Sequence, residues 1–221
     1  MKKMKWLDVM AVGAGLIALP LAAHAADESP WYGGIGLGHS DVKRPGSWAQ
    51  QADIALRPQG VTSVTTISSG NTSWKVFGGY QFNESFGIEA AYARLGKFGG
   101  TSAVTAPAAG TGTGTWDASA FSVAAVGYLP VHENRVYAFG KLGVAYTHLG
   151  VSVVAPNGAG SAVFSPVNDR GNLMLGFGMR FDLTKKVGLR AEWEHFNNVG
   201  DGSSTGQSAI DIWSISAQYR F

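Results

Sequence analysis

Asp211-Ile212-Trp213-Ser214-Ile215-Ser216-Ala217-Gln218-Tyr219-Arg220-Phe221 is the stretch whose reading decides the fold. Trp213, Ile215, Ala217, Tyr219 and Phe221 fall on one face of an extended chain. Ser214, Ser216, Gln218 and Arg220 fall on the other. Such period-two alternation marks a strand with one apolar and one polar side. About ten residues with aromatic groups at both ends of the apolar face suit a strand that crosses a bilayer in a closed barrel. A soluble domain seldom places an exposed Phe at a terminus, where chains fray.

Seven further segments carry the same alternation. They are residues 31–39, 73–82, 85–95, 118–129, 135–149, 171–181 and 186–196. In the fourth, both faces are small and apolar, so its inward side stays open. Short connections (Asn83-Glu84, Pro130 to Asn134, Asp182 to Lys185) alternate with long ones (Ser40 to Thr72, Gly96 to Asp117, Gly150 to Arg170, Asn197 to Ile210). Short turns at one end and long loops at the other predict an all-β, eight-stranded antiparallel up-and-down transmembrane barrel. Asn157-Gly158 between two apolar runs predicts a hairpin that extends the fifth and sixth strands beyond the membrane. The Thr, Ala and Gly-rich run Thr101 to Thr115 reads as a loop without regular structure.

At the N-terminus, Lys2, Lys3 and Lys5 precede an apolar run from Trp6 to Leu21, followed by Ala23-His24-Ala25. Residues 1–25 read as a cleaved export signal and 26–221 as one barrel domain. Three of the 17 basic and one of the 15 acidic residues lie in that signal, which leaves 14 of each. A balanced chain argues against nucleic acid as a partner. The absence of cysteine means that no disulfides are needed. No apolar stretch after residue 26 is long enough for a membrane helix, so a spanning form must be a closed barrel.

Charge decides which face meets lipid. Glu89, Lys141, Arg180, Arg190, Glu192 and Glu194 all lie opposite the aromatic face. A Lys or Arg facing lipid at mid-depth costs about 2–4 kcal/mol, so these six belong in the lumen. The predicted arrangement is an ion-pair network in which the three glutamates share Lys141, Arg180 and Arg190 and fill a narrow interior. Trp31, Trp74, Tyr80, Tyr92, Tyr146, Trp193, Trp213 and Tyr219 form the predicted aromatic girdles on the lipid side. Arg94 shares the Tyr92 face near the long-loop end, where it can reach lipid headgroups or lipopolysaccharide phosphates.

Gly188-Leu189-Arg190-Ala191-Glu192-Trp193 followed by Asn197-Asn198-Val199-Gly200-Asp201 resembles the seventh strand and fourth loop of the OmpA-like family of eight-stranded outer-membrane barrels. Phe77-Gly78-Gly79-Tyr80-Gln81 and Gly87-Ile88-Glu89-Ala90-Ala91-Tyr92 are similar to its second and third strands. Trp31-Tyr32 and Tyr219-Arg220-Phe221 match its first and last strands. The resemblance covers most of residues 30–221. It implies an interior charge network with Glu89, Arg190 and Glu192 at matching positions, and a terminal aromatic, Phe221, that the barrel-assembly machinery reads. It also implies a location in the bacterial outer membrane. Two departures stand out: Ala125 at a place often basic and Arg180 at a place often acidic. Many members carry a peptidoglycan-binding domain after the barrel. This sequence ends at Phe221, so the expectation is a barrel alone.

Three features of the sequence bear on possible chemistry. His195-Phe196-Asn197-Asn198-Val199-Gly200 superficially resembles the lipid A deacylase barrels, but Asn197 stands where their Ser nucleophile is needed. The five His residues show no metal-ligand spacing. Gly34-Ile35-Gly36-Leu37-Gly38 is no phosphate loop, since no helix pattern is read after it. The expectation is therefore no enzyme, no cofactor and no metal. It is a structural or surface protein that meets outer-membrane lipids, including lipopolysaccharide, and presents four loops to a host or surface ligand. The alternative is a narrow conduit for small solutes or hydrophobic compounds; a lipid A-modifying enzyme is the third reading.

Overall fold

The structure is a computed structural model that describes residues 29–132, 135–157 and 160–221. The signal-peptide reading and the Gly158 turn position fall outside these residues. Ten strands and one helix follow in order: β1 (Trp31–Val42), α1 (Pro45–Leu56), β2 (Thr62–Ile67), β3 (Gly70–Gln81), β4 (Phe86–Ala106), β5 (Gly110–His132), β6 (Val136–Pro156), β7 (Ser161–Phe164), β8 (Val167–Asp182), β9 (Val187–Asp201) and β10 (Gly206–Arg220).

Eight of these strands close a ring by antiparallel pairing. β1 pairs with β3, β3 with β4, β4 with β5, β5 with β6, β6 with β8, β8 with β9, β9 with β10, and β10 with β1 again. β1 and β10 run from Tyr32↔Arg220 to Val42↔Ile210 without a slip. Closure satisfies every edge, which a bilayer demands. The short turns are set by local side-chain chemistry. Asn83 Oδ1 accepts from the amides of Ser85 and Phe86, both at 2.9 Å, and Thr184 Oγ1 accepts from Lys186 and Val187 at 3.2 and 3.0 Å.

Burial alternates along the walls as the charges require. Ile35, Leu37, Leu142, Val144, Leu173 and Ile215 are exposed outward, while Lys75, Glu89, Lys141, Arg180, Arg190, Glu192 and Glu194 are buried inward. In the fourth barrel strand, β5, the inward residues are Ser122, Ala124, Val126 and Tyr128. Ala125 is exposed on the outside, so the departure noted at that position falls on the lipid face and says nothing of the lumen.

Two expectations about the long connections are overturned. Thr101 to Thr115 is not irregular: it continues β4 and β5 as a long hairpin, with Thr101 opposite Thr113 and Ala103 opposite Thr111. Its glycines and small residues are there because Trp116 lies flat beneath them. A Cβ at Gly100 or Gly114 would stand within 2.8 Å of that indole. The first long connection also contains a helix. Pro45 opens α1, where its missing N–H costs nothing. Trp48, Ala49, Ala52 and Leu56 then share one face at helical spacing, and all are buried. A single 3₁₀ turn over Arg57–Gln59 ends it, and Gly60 (φ 78°) donates to the Arg57 carbonyl at 2.9 Å.

Beyond the ring, β2 adds to β4 and β7 adds to β6. The long-loop end therefore carries a five-stranded extension in the order β2–β4–β5–β6–β7, wrapped around α1.

Candidate functional site

The interior has two storeys. At the level of Gly34–Gly38, β1 contributes only small groups. A Cβ at Gly34 would run into the Phe77 ring, and one at Gly38 would stand 3.0 Å from Ser73 Oγ and Ser214 Cβ. That space is taken by charged side chains from the facing strands. Lys141 Nζ donates to Glu89 Oε1 at 2.5 Å, sits 3.3 Å from Glu194 Oε1 and also pairs with Glu192. Arg190 Nη1 donates to Glu89 Oε2 at 2.7 Å and Nη2 to Glu192 Oε2 at 3.3 Å. Lys75 Nζ pairs with Glu192 and lies 2.8 Å from Glu194 Oε2. Tyr32 donates to Glu89 at 3.0 Å and Tyr128 donates to Tyr32 at 3.0 Å. The Arg190 guanidinium lies between the rings of Phe77 and Phe139, 4.5 and 4.4 Å from their centres. Three carboxylates thus face three cations, all almost fully buried, so the cluster is neutral as a whole.

Five of the six lumen residues expected from sequence meet in this cluster. Arg180 does not. Its Nε pairs with Asp182 Oδ1 at 3.0 Å, and its guanidinium stacks 4.3 Å from the Tyr137 centre and 5.2 Å from Tyr128. It stands opposite Arg190 in register, and its carboxylate partner is Asp182 at the short-turn end of β8. Lys75 takes the place that the sequence reading gave to Arg180. The signal was present, since Lys75 lies between outward Trp74 and Val76, but only closure of the ring brings β3 across from β9.

Above this level the lumen turns apolar. Trp48, Leu56, Leu95, Phe98, Trp116, Leu149, Val153, Met174, Phe196, Val199 and Ile210 form one buried cluster. Trp48 and Phe98 meet edge to face at 5.9 Å. α1 caps it. Gln51 Nε2 donates to the Ser203 carbonyl at 2.7 Å, Ser47 Oγ accepts from Gln207 N at 3.0 Å, and Asp53 accepts from Ser63 Oγ at 2.7 Å and Thr65 N at 3.0 Å.

The outside is an apolar belt with a charged upper border. Trp31, Tyr80 and Tyr219 lie towards the short-turn end beside Phe82, Phe86 and Phe221; Trp31 meets Tyr80 at 4.9 Å and Tyr219 meets Phe221 at 5.5 Å. Trp74, Tyr92, Tyr146, Trp193 and Trp213 lie towards the other end. There Trp74 packs on Tyr92 at 5.7 Å, and Phe177, Trp193 and Trp213 form a cluster. Phe121 bridges Tyr92 and Tyr146 in register, and the sequence reading missed it. On seven of the eight ring strands the outward apolar run ends on an ionisable residue: His39, Arg94, Asp117, His148, Asp169, His195 and Asp211. Six of these form cross-strand pairs. Arg94 pairs with Asp117, His148 lies 2.7 Å from Asp169, and His195 lies 2.5 Å from Asp211. Asp211 to Phe221 spans about 33 Å of strand, or about 25 Å once tilted, the height of an outer-membrane apolar band.

The acyl-transfer possibility is tested at His195. Its partner is Asp211, which also takes Lys43 at 2.7 Å, and the ring stacks on Trp193. Position 197 is Asn, so this His–Asp pair lacks the hydroxyl nucleophile at the place where it was sought. Among the described residues no group of His, Cys, Asp and Glu has metal-binding geometry.

A closed antiparallel ring, an outward apolar belt with aromatic borders and a filled polar lumen define an integral outer-membrane β-barrel. The chain belongs to the OmpA-like transmembrane domain family, whose model matches residues 25–221. It is 26% identical to outer membrane protein A of Salmonella typhi over 218 residues, which is 96% of this chain and 54% of that protein. Outer membrane protein A of Shigella flexneri is 25% identical, with 96% and 55% covered. The chain spans about half the length of these relatives. Among solved structures, Neisserial surface protein A aligns with a TM-score of 0.54 at 12% identity, covering 89% of this chain and all of that one. OprG from Pseudomonas aeruginosa aligns at 0.51 and 15%, covering 88% and 97%. These likenesses show the fold. The family places the protein in the bacterial outer membrane.

Proposed function

We propose that this protein is a non-enzymatic, non-conducting anchor that holds a rigid surface outside the cell, with a role in envelope integrity or adhesion. The observation that carries this reading is the doubly sealed lumen. A neutral cluster of three acids and three cations fills one storey, and an apolar core under α1 fills the next. A solute would have to break buried ion pairs and then displace packed aromatic groups, each at a cost of several kcal/mol. The conduit reading has no such observation in its favour.

The remaining roles follow from position. The aromatic residues at both ends of the belt anchor it at the two interfaces. Lys97, 67% exposed beside the charged border and only 4.0 Å from its nearest carboxylate, is the group that meets lipopolysaccharide phosphates, whereas Lys43 is held by Asp211. Arg94, held by Asp117, is a weaker candidate than its sequence suggests. Residues 1–25 are the export signal. No cofactor or metal is required.

Two measurements test the proposal. Purified protein in planar bilayers should give no steady conductance; large, lasting channels would overturn the sealed-lumen reading. Whole-cell protease shaving should cut only at the long-loop end, and cuts at residues 83–85 or 183–186 in intact cells would reverse the topology.

A further inference from the structure

The five-stranded extension has an outward face of unusual make-up. One register row runs across all five strands through Thr66, Thr101, Thr113, Val154 and Val163. A second passes through Val64, Ala103 and Thr111, and a third through Gly99, Thr115 and Ser152. All of these residues are exposed. Residues 60–74, 98–116 and 149–168 contain no Asp, Glu, Lys or Arg. Charge begins one row lower, at Lys97 and Asp117, and lies on the helix side at Arg44 and Arg57. A solvated sheet face ordinarily intersperses charges to discourage association.

The strand edges beside this face are already occupied. Gln59 Nε2 donates to the Val163 carbonyl at 3.0 Å and its Oε1 accepts from Val163 N at 3.1 Å, as a neighbouring strand would. On the opposite edge Asp53 takes the amide of Thr65. Strand addition is thus blocked at these positions, and the face is what remains on offer.

We infer that this Thr/Val face is a homotypic contact surface, whose partner is the same face of a second copy on an apposed membrane. The inference rests on the surface role proposed above. An uncharged face meeting itself strips water from no ion and brings no like charges together, whereas a charged partner gains nothing there. β5 is the middle strand of the five. A twofold axis lying between the two faces, parallel to both sheets and crossing the strands at the Thr113 row, sets Thr113 of one copy beside Thr113 of the other, in an isologous contact. Eleven positions, each about 4.8 Å across the strands and about 6.7 Å along them, cover roughly 350 Å² per copy. Two copies bury about 700 Å², well short of the ~1,200–2,000 Å² of a stable soluble complex. One pair is weak, and many pairs between two surfaces hold by avidity.

The test uses the full barrel in phosphatidylcholine vesicles, with clustering followed by light scattering. Wild-type vesicles should cluster, T113K and T113E vesicles should each cluster at least tenfold more slowly, and a mixture of T113K with T113E vesicles should recover the wild-type rate. T113S serves as the folded control and should cluster normally. Undiminished clustering by T113K, or no recovery in the mixture, overturns the inference, as does clustering that requires an added neutral polysaccharide. T113C in whole cells separates the two readings, because the chain has no other cysteine. Failure to label with a membrane-impermeant maleimide defeats the surface role itself. Labelling together with an indifferent T113K defeats only the contact.

Discussion

The two storeys of the lumen solve one geometric problem in opposite ways. The same eight strands enclose both, and an eight-stranded ring leaves just enough width for side chains. Near the short turns the space holds Lys75, Lys141, Arg190 and three glutamates around the glycines of β1; near the long loops it holds Trp48, Phe98, Trp116 and their aliphatic neighbours. The charged storey is built from the walls alone, because long Lys, Arg and Glu side chains reach the axis from any strand. The apolar storey needs an extra element, since Ala93, Ala118, Ala120 and Ala145 on the walls leave a gap that α1 fills. The first arrangement depends on charge balance and the second on volume, so they should fail differently.

The largest effect is expected from Lys141→Met. It leaves Glu89, Glu192 and Glu194 sharing two cations in a dry interior, and removing one partner of a buried pair costs about 3–5 kcal/mol. Urea unfolding in lipid vesicles measures this, and a loss under 1 kcal/mol would mean that water screens the cluster. Trp48→Ala removes the centre of the upper core at about 3 kcal/mol. Its signature is local, with faster proteolysis at residues 43–61 while the membrane belt stays protected. It should also leave the bilayer silent, because the charged storey still seals the lumen. Steady channels in this variant would show that the upper storey alone is the seal.

Asp53→Ala comes next, at about 1–2 kcal/mol, since it strips acceptors from Ser63 and Thr65 at the β2 edge. The expected readout is faster amide exchange in β2 with β7 unchanged. The smallest effect is a pH dependence at the β9–β10 turn. Hydrogen bonds from the Ser203 hydroxyl and amide hold the Asp201 carboxyl below its ordinary range. The stabilisation of this turn is therefore present above the ordinary Asp value and lost as pH falls through the lowered one. Exchange at residues 203–206 should rise in acid, and Asp201→Asn should flatten that profile.

Legibility in the sequence followed how local each signal was. Alternation in β1, β3, β6, β8, β9 and β10 exposed their inward faces, because period two is written residue by residue. β5 resisted, since Ala124 and Ala125 look alike until β4 and β6 pair with it. Trp48, Ala49, Ala52 and Leu56 did carry a helical spacing, but it sat in a stretch that otherwise reads as a loop. Thr101 to Thr115 looked structureless because glycine and threonine are turn-like in isolation; the indole of Trp116 is what gives Gly100 and Gly114 their reason.

The sequence by itself determined the barrel, the faces of every ring strand but β5, its lipid belt and the charged storey of its lumen. Side-chain alternation and the cost of charge in lipid act at each position alone. The tertiary structure decided which charges meet. Lys75 rather than Arg180 joins the glutamates because ring closure, with its stagger between strands, sets which residues share a level. It also decided that the upper lumen is dry and capped, and that three uncharged stretches far apart in the chain become one continuous face. Contact between distant segments is a property of register, and register is fixed only when all eight strands close together.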